Sequence, residues 1–158
     1  MTDWQEILDY LSPRAIPYCP EEPSMPQKVF LRTNAIEALF GGAAGGGKSS
    51  ALLMAALQYV DIPGYSAMLF RRTLADLTLP GALMDRFRDW TAHNEEIRFN
   101  QNTYTAVFPS GARITFGYLN NKDDYLRYKG VEAQFIGMDE VTEIRESDYR
   151  YLFSRLRR

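Results

Sequence analysis

Cysteine is almost missing from this chain. Cys19 is the only one in 158 residues, which excludes an internal disulfide and is consistent with a reducing compartment. Excess charge is missing too. The net charge is −2 and the sequence pI about 5.5, so no global basic field advertises nucleic acid, and contact with a polyanion has to come from a local patch. No apolar run approaches the length of a membrane span, and the first ten residues carry Asp3, Glu6 and Asp9 in place of a basic leader region. The expectation is a soluble, cytosolic protein with no membrane partner. There is no internal repeat, and no low-complexity tract beyond one glycine-rich stretch. What is present, 46% hydrophobic and 24% charged residues, suffices for one globular domain with a substantial core.

The glycine-rich stretch organises the rest. Five of the 11 glycines lie between Gly41 and Gly47, and GxxxxGK[ST] fits in one register: Gly42, Ala43, Ala44, Gly45, Gly46, Gly47, Lys48, Ser49, followed by Ser50. Small residues let backbone N–H groups close on a phosphate chain, and a following helix presents its positive N-terminus to it. Lys48 can then reach the terminal phosphates, and Ser49 can offer a hydroxyl to Mg²⁺. A flexible linker would show the same composition between polar flanks. Here an apolar run (Ala38, Leu39, Phe40) precedes the loop and a helical pattern (residues 51–59) follows it, which predicts strand, loop, helix.

In chain order, Trp4, Ile7, Leu8 and Leu11 have helical spacing and end at Pro13. Five of the eight prolines fall between Pro13 and Pro26, predicting an extended arm, with residues 27–31 leading into a first strand at 37–40. The division expected is an arm over 1–26 and an α/β domain over 27–158. Residues 67–70 read as a buried parallel strand ending at Arg71-Arg72. Leu83, Phe87 and Trp90 mark a second helix. Alternation around Pro109-Ser110-Gly111 (Tyr104, Ala106, Phe108; Ala112, Ile114, Phe116, Tyr118) predicts an antiparallel hairpin. Residues 120–128 read as a surface loop. Near the end, Tyr149, Leu152, Phe153 and Leu156 mark an apolar helix face, with Arg150, Arg155, Arg157 and Arg158 forming a basic edge that suits either phosphate contact or plain solvation.

A second stretch, residues 134–140, is an apolar strand closing on Asp139-Glu140. Alone it reads as a strand meeting solvent. Downstream of a phosphate loop, with another strand between, it supplies what an ATPase needs: Asp139 for the Mg²⁺ shell and Glu140 as the catalytic group orienting water.

Gln27, GGAAGGGKSS, LFRRT, FPSGARITFGYL, YKG ahead of QFIGMDEVTE, and SRLRR together resemble the ATPase domain of the large subunit of a tailed-bacteriophage terminase, the motor that packages DNA into procapsids. The resemblance runs from Gln27 to the last residue. It implies a three-layer α/β phosphate-loop fold of the additional-strand, catalytic-glutamate, RecA-like class, with a mainly parallel sheet and an inserted hairpin. It further implies ATP and Mg²⁺ as cofactors, with Gln27 reading adenine, Gly42 to Ser49 as the Walker A loop and Asp139-Glu140 as Walker B and catalytic carboxylate. As partners it implies double-stranded DNA, portal protein, the terminase small subunit and further copies in a ring. The location implied is the host cytoplasm and, transiently, the procapsid portal.

Two departures stand out. Members of the family complete the site with a basic side chain from the loop or from a neighbouring subunit, and this loop holds no Arg. Lys129, where such sequences often have Arg, together with Arg127, Arg71 and Arg72, are the candidates for neutralising charge. The sequence also stops at Arg158 without an assignable acidic cluster for the nuclease domain of such proteins, so DNA cleavage is not expected of it. A different DNA motor of the same fold, or a fragment that binds ATP with little turnover, fits the same residues.

Overall fold

The computed structural model describes residues 14–43 and 45–157; the helix expected over 3–11, Ala44 and Arg158 lie outside them. In chain order the elements are α1 (Met25–Leu31), α2 (Lys48–Leu57), β1 (Ser66–Arg71), α3 (Leu74–Thr78), α4 (Leu83–Thr91), β2 (Arg98–Asn100), β3 (Thr105–Val107), β4 (Arg113–Tyr118), β5 (Phe135–Met138) and α5 (Glu146–Phe153). Short 3-10 turns lie at Asp124–Tyr128 and Val141–Glu143. The strands form one mixed five-stranded sheet in the order β2-β3-β4-β1-β5.

β1 lies between β4 and β5, parallel to both, with Leu69 opposite Phe116 on one side and Gly137 on the other. Its uninterrupted apolar sequence follows from burial on both faces. Ala67 and Leu69 pack with Leu53, Leu57, Phe87, Ile114 and Phe116. Met68 and Phe70 face the other way, with Leu119, Tyr128 and Leu152. Helices α2, α3 and α4 cover the first face; α5 and the turn at Asp124–Tyr128 cover the second. The expected hairpin is β3-β4, antiparallel with Ala106 opposite Ile114, and Phe108 N–H donates to Ala112 O at 2.9 Å across the turn. β2 extends it by a third strand. An unanticipated helix, α3, begins at Thr73, whose hydroxyl accepts from Asp76 N–H while Thr73 N–H donates to the Asp76 carboxylate, a reciprocal cap.

Three expectations fail. Residues 37–40 form no strand: Ile36 and Leu39 are 66% and 82% exposed, and among the described residues no strand pairs with the flank of β5 away from β1. A strand exists by pairing, which apolar composition does not supply. Residues 27–31 lie in a helix, not in a lead to a strand, because Pro26 suits the first helical turn and Leu31 packs on Met54 and Ala55 of α2. The supposed surface loop 120–128 buries Tyr128 and Asp124. The Tyr128 hydroxyl accepts from Tyr118 N–H at 3.0 Å, and its ring meets Phe70 edge-on at 4.9 Å. Burial raises the Tyr128 pKa above the usual phenol value.

Candidate functional site

In a parallel sheet, ligands gather beyond the carboxyl ends of the strands, and the candidate residues collect there. β1 and β5 run in register, Phe70 beside Met138, so Arg71, the last residue of β1, and Asp139, the first past β5, come together at that end of the sheet. The glycine loop reaches the same edge because α2 packs across β5 at Gly137. A Cβ on Gly137 would lie 2.8 Å from Leu52 Cδ1 and equally close to Leu69 Cδ2, so a side chain here would have to displace both leucines.

The result joins residues 90 positions apart: Ser49 Oγ donates to Asp139 Oδ2 at 2.9 Å. Asp139 is 7% exposed. Arg71 Nη1 approaches the same carboxylate oxygen at 3.4 Å and Glu140 Oε1 at 3.9 Å; its Nε is buried without an acceptor. Lys48 folds back over the loop, its Nζ donating to the carbonyls of Gly42 (3.1 Å) and Ala43 (2.9 Å). Gly47 ends the loop at φ 71 as the cap of α2, a conformation glycine adopts without strain. Glu140 sits at φ 52 and ψ 52, left-handed backbone that costs a non-glycine residue on the order of 1–3 kcal/mol and recurs at functional sites. Its side chain remains half exposed.

Of the four candidate cations, Arg71 is the one that meets the carboxylates. Arg127 is engaged elsewhere, pairing with Asp124 at 3.1 Å and lying over the Tyr118 ring at 4.5 Å, while Arg72 and Lys129 point to solvent. Gln27 is 6% exposed and lies behind the loop, its amide engaged at both ends: it accepts from Ser24 N–H at 2.8 Å and donates to Gly47 O at 2.9 Å. Ser50 is buried on the first turn of α2. At the basic edge, Arg150 pairs with Glu146 and Arg157 with Glu132, and Arg155 lies over the Tyr151 ring.

Two contacts were not legible beforehand. Asp148, fully buried, pairs with Arg145 at 2.7 Å, and Arg145 also donates to the carbonyls of Leu119 and Asn120, tying α5 to the end of β4. Tyr149 donates to Glu37 ahead of the loop; burial, then this bond, pushes its pKa up to about 12. No sequence pattern marks either.

A larger residue at 137 would separate α2 from β5. Gly137→Val is expected to destabilise the fold by roughly 1–3 kcal/mol, the usual cost of overpacking. Thermal melting checks this; an unchanged midpoint would show that Leu52 and Leu69 make room for a side chain at 137.

No helix among the described residues is long and apolar enough to cross a membrane. No curated protein and no solved structure matches the chain. A family model does: terminase large subunit, T4likevirus-type, N-terminal, matches residues 39–158. That span contains the glycine loop, the hairpin and the Asp139-Glu140 pair, and leaves Gln27 outside. With most of its length matched in this way, the chain belongs to the terminase large subunit family, as its N-terminal region.

Proposed function

We propose that this domain binds MgATP and hydrolyses it, and that in the assembled packaging machine the reaction drives double-stranded DNA into procapsids. The observation that carries the reading is the Ser49–Asp139 contact of 2.9 Å: a hydroxyl and a carboxylate held together at the end of a glycine loop. Both are hard oxygen donors of the kind Mg²⁺ takes, and Mg²⁺ commonly completes its shell with nucleotide oxygens and water. Ser49 and Asp139 are the residues that would hold Mg²⁺. Bound there, the ion supplies charge neutralisation on the phosphate oxygens.

The chain's own groups do the rest. The amides at the start of α2, unpaired within the helix, receive phosphate oxygens. Lys48 exchanges two loop carbonyls for the terminal phosphates. Glu140, held by its left-handed backbone at the strand end, accepts a hydrogen bond from the attacking water and directs it in line with the γ-phosphate. Arg71 neutralises charge from within the same chain, answering the missing arginine of the loop. Arg71→Met is expected to lower the hydrolysis rate at saturating ATP by about tenfold, the loss of one close charge, with melting preserved; an unchanged rate would remove Arg71 from the mechanism.

Steady-state phosphate release measured over a wide range of protein concentration, beside nucleotide binding, tests the whole reading. Nucleotide binding with phosphate release is the expected result, and specific activity that rises with concentration would show that a neighbouring copy adds a group beyond Arg71. Binding without turnover at any concentration favours a nucleotide-binding module whose activity needs the rest of the machine. Absence of binding would overturn the proposal.

A further inference from the structure

Gln27 comes from outside the matched span and is held more firmly than a residue awaiting a ligand. It is 6% exposed, and both ends of its amide are used: Oε1 accepts from Ser24 N–H at 2.8 Å and Nε2 donates to Gly47 O at 2.9 Å. The fit is close, for a Cβ on Gly47 would lie 2.6 Å from Nε2. Helix α1, which carries Gln27, is anchored independently by Leu31 against Met54 and Ala55.

Resting on the nucleotide reading above, we propose that Gln27 is a positioning residue for the phosphate loop: it sets the orientation of the peptide between Gly47 and Lys48, and with it the phosphate-binding amides. The carbonyl and N–H of a trans peptide point in opposite directions. The Gly47 carbonyl receives two donors, Ala51 N–H at 2.9 Å from the helix and Gln27 Nε2 from behind, so the Lys48 N–H faces away from both, out of the first turn, where helix N–H groups have no internal acceptor. Gly47, at φ 71, is the residue of this cap freest to rotate, and a second donor on its carbonyl removes that freedom. The ligand class affected is the phosphate chain, whatever base it carries. Reading of adenine by the same amide, through the second N–H of Nε2, is the competing outcome.

The test compares Mg²⁺-ATP, Mg²⁺-GTP and Mg²⁺-inorganic tripolyphosphate by calorimetric titration of the 158-residue protein, for the parent, Gln27→Met, Gln27→Glu and Leu31→Ala. Gln27→Met keeps the length of the side chain and loses the donor. Gln27→Glu keeps the acceptor for Ser24 and loses the donor to Gly47. Leu31→Ala loosens the same helix without touching the amide. The expected result is an affinity loss of about three- to tenfold for Gln27→Met, the worth of one net hydrogen bond, equal for all three ligands, and at least as large for Gln27→Glu. Leu31→Ala should lower the melting temperature while leaving tripolyphosphate affinity within about twofold, less than the tenfold worth of about 1.4 kcal/mol. Loss for ATP alone would overturn the inference and assign the amide to adenine. Unchanged affinities, or losses that track melting temperature across all the variants, would overturn it as well. A parent protein that binds none of the three ligands would refute the nucleotide reading itself, before any variant is compared.

Discussion

Glu140→Gln is expected to leave ATP binding at parental strength or slightly tighter while lowering the rate of phosphate release by about 10²–10⁴-fold, the usual contribution of a positioned general base. Three features favour a clean result. Glutamine has the size of glutamate and occupies left-handed backbone at a comparable cost, so the φ of 52 at this position is kept. The side chain is half exposed and its ion pair with Arg71 is long, at 3.9 Å, so little stability depends on its charge. Removing a negative charge beside a phosphate site also reduces repulsion of the nucleotide. Glu140→Gly is the companion variant: it frees the strained backbone but adds flexibility to the unfolded chain, so stability should stay within about 1 kcal/mol while hydrolysis is lost as in Glu140→Gln. Burst-phase and steady-state phosphate assays with a fluorescent nucleotide titration decide it. A Glu140→Gln domain that hydrolyses ATP at the parental rate would assign water activation to another group.

Lys48→Ala should weaken ATP binding by roughly 10²–10⁴-fold, if the ammonium makes two charge-assisted hydrogen bonds to the phosphates worth about 1.5–3 kcal/mol each. In the structure the ammonium donates to the carbonyls of Gly42 and Ala43, so the lysine also braces its own loop. If phosphates replaced these carbonyls, the ammonium would stay paired and gain the stronger bond to a charged acceptor. Both contacts are exposed, so melting should change by less than about 0.5 kcal/mol. Lys48→Arg should not rescue binding, because a planar fork is longer and cannot reproduce the compact point charge inside a loop closed by glycines. Retention of parental affinity by Lys48→Ala would mean that the glycine loop is not where the phosphates bind.

The parts of this protein that its sequence determined are those with local causes. The apolar run of β1 needs burial on both faces wherever it lies. The Pro109-Ser110-Gly111 turn closes its hairpin through its own backbone, and the loop from Gly42 to Gly47 followed by Lys48 sets a helix start. Asp139-Glu140 at a strand end was visible for the same reason. What the tertiary structure decided depends on pairing between distant segments. Residues 37–40 are as apolar as a strand requires, yet no described strand lies beside them, and a backbone without a partner keeps its N–H groups in water. Tyr128 is buried because β1 presents Phe70 to it. Arg71, Arg72, Arg127 and Lys129 were equivalent as charges; the parallel register that sets Phe70 against Met138 is what brings Arg71, and not the others, to Asp139. Half of Gln27's placement is local, a capping box with Ser24 three residues back; no neighbouring residue announces its bond to Gly47, 20 residues forward. Composition and periodicity fix which groups are available; which of them meet is fixed by strand register and helix packing, whose energies arise only once the chain has closed on itself.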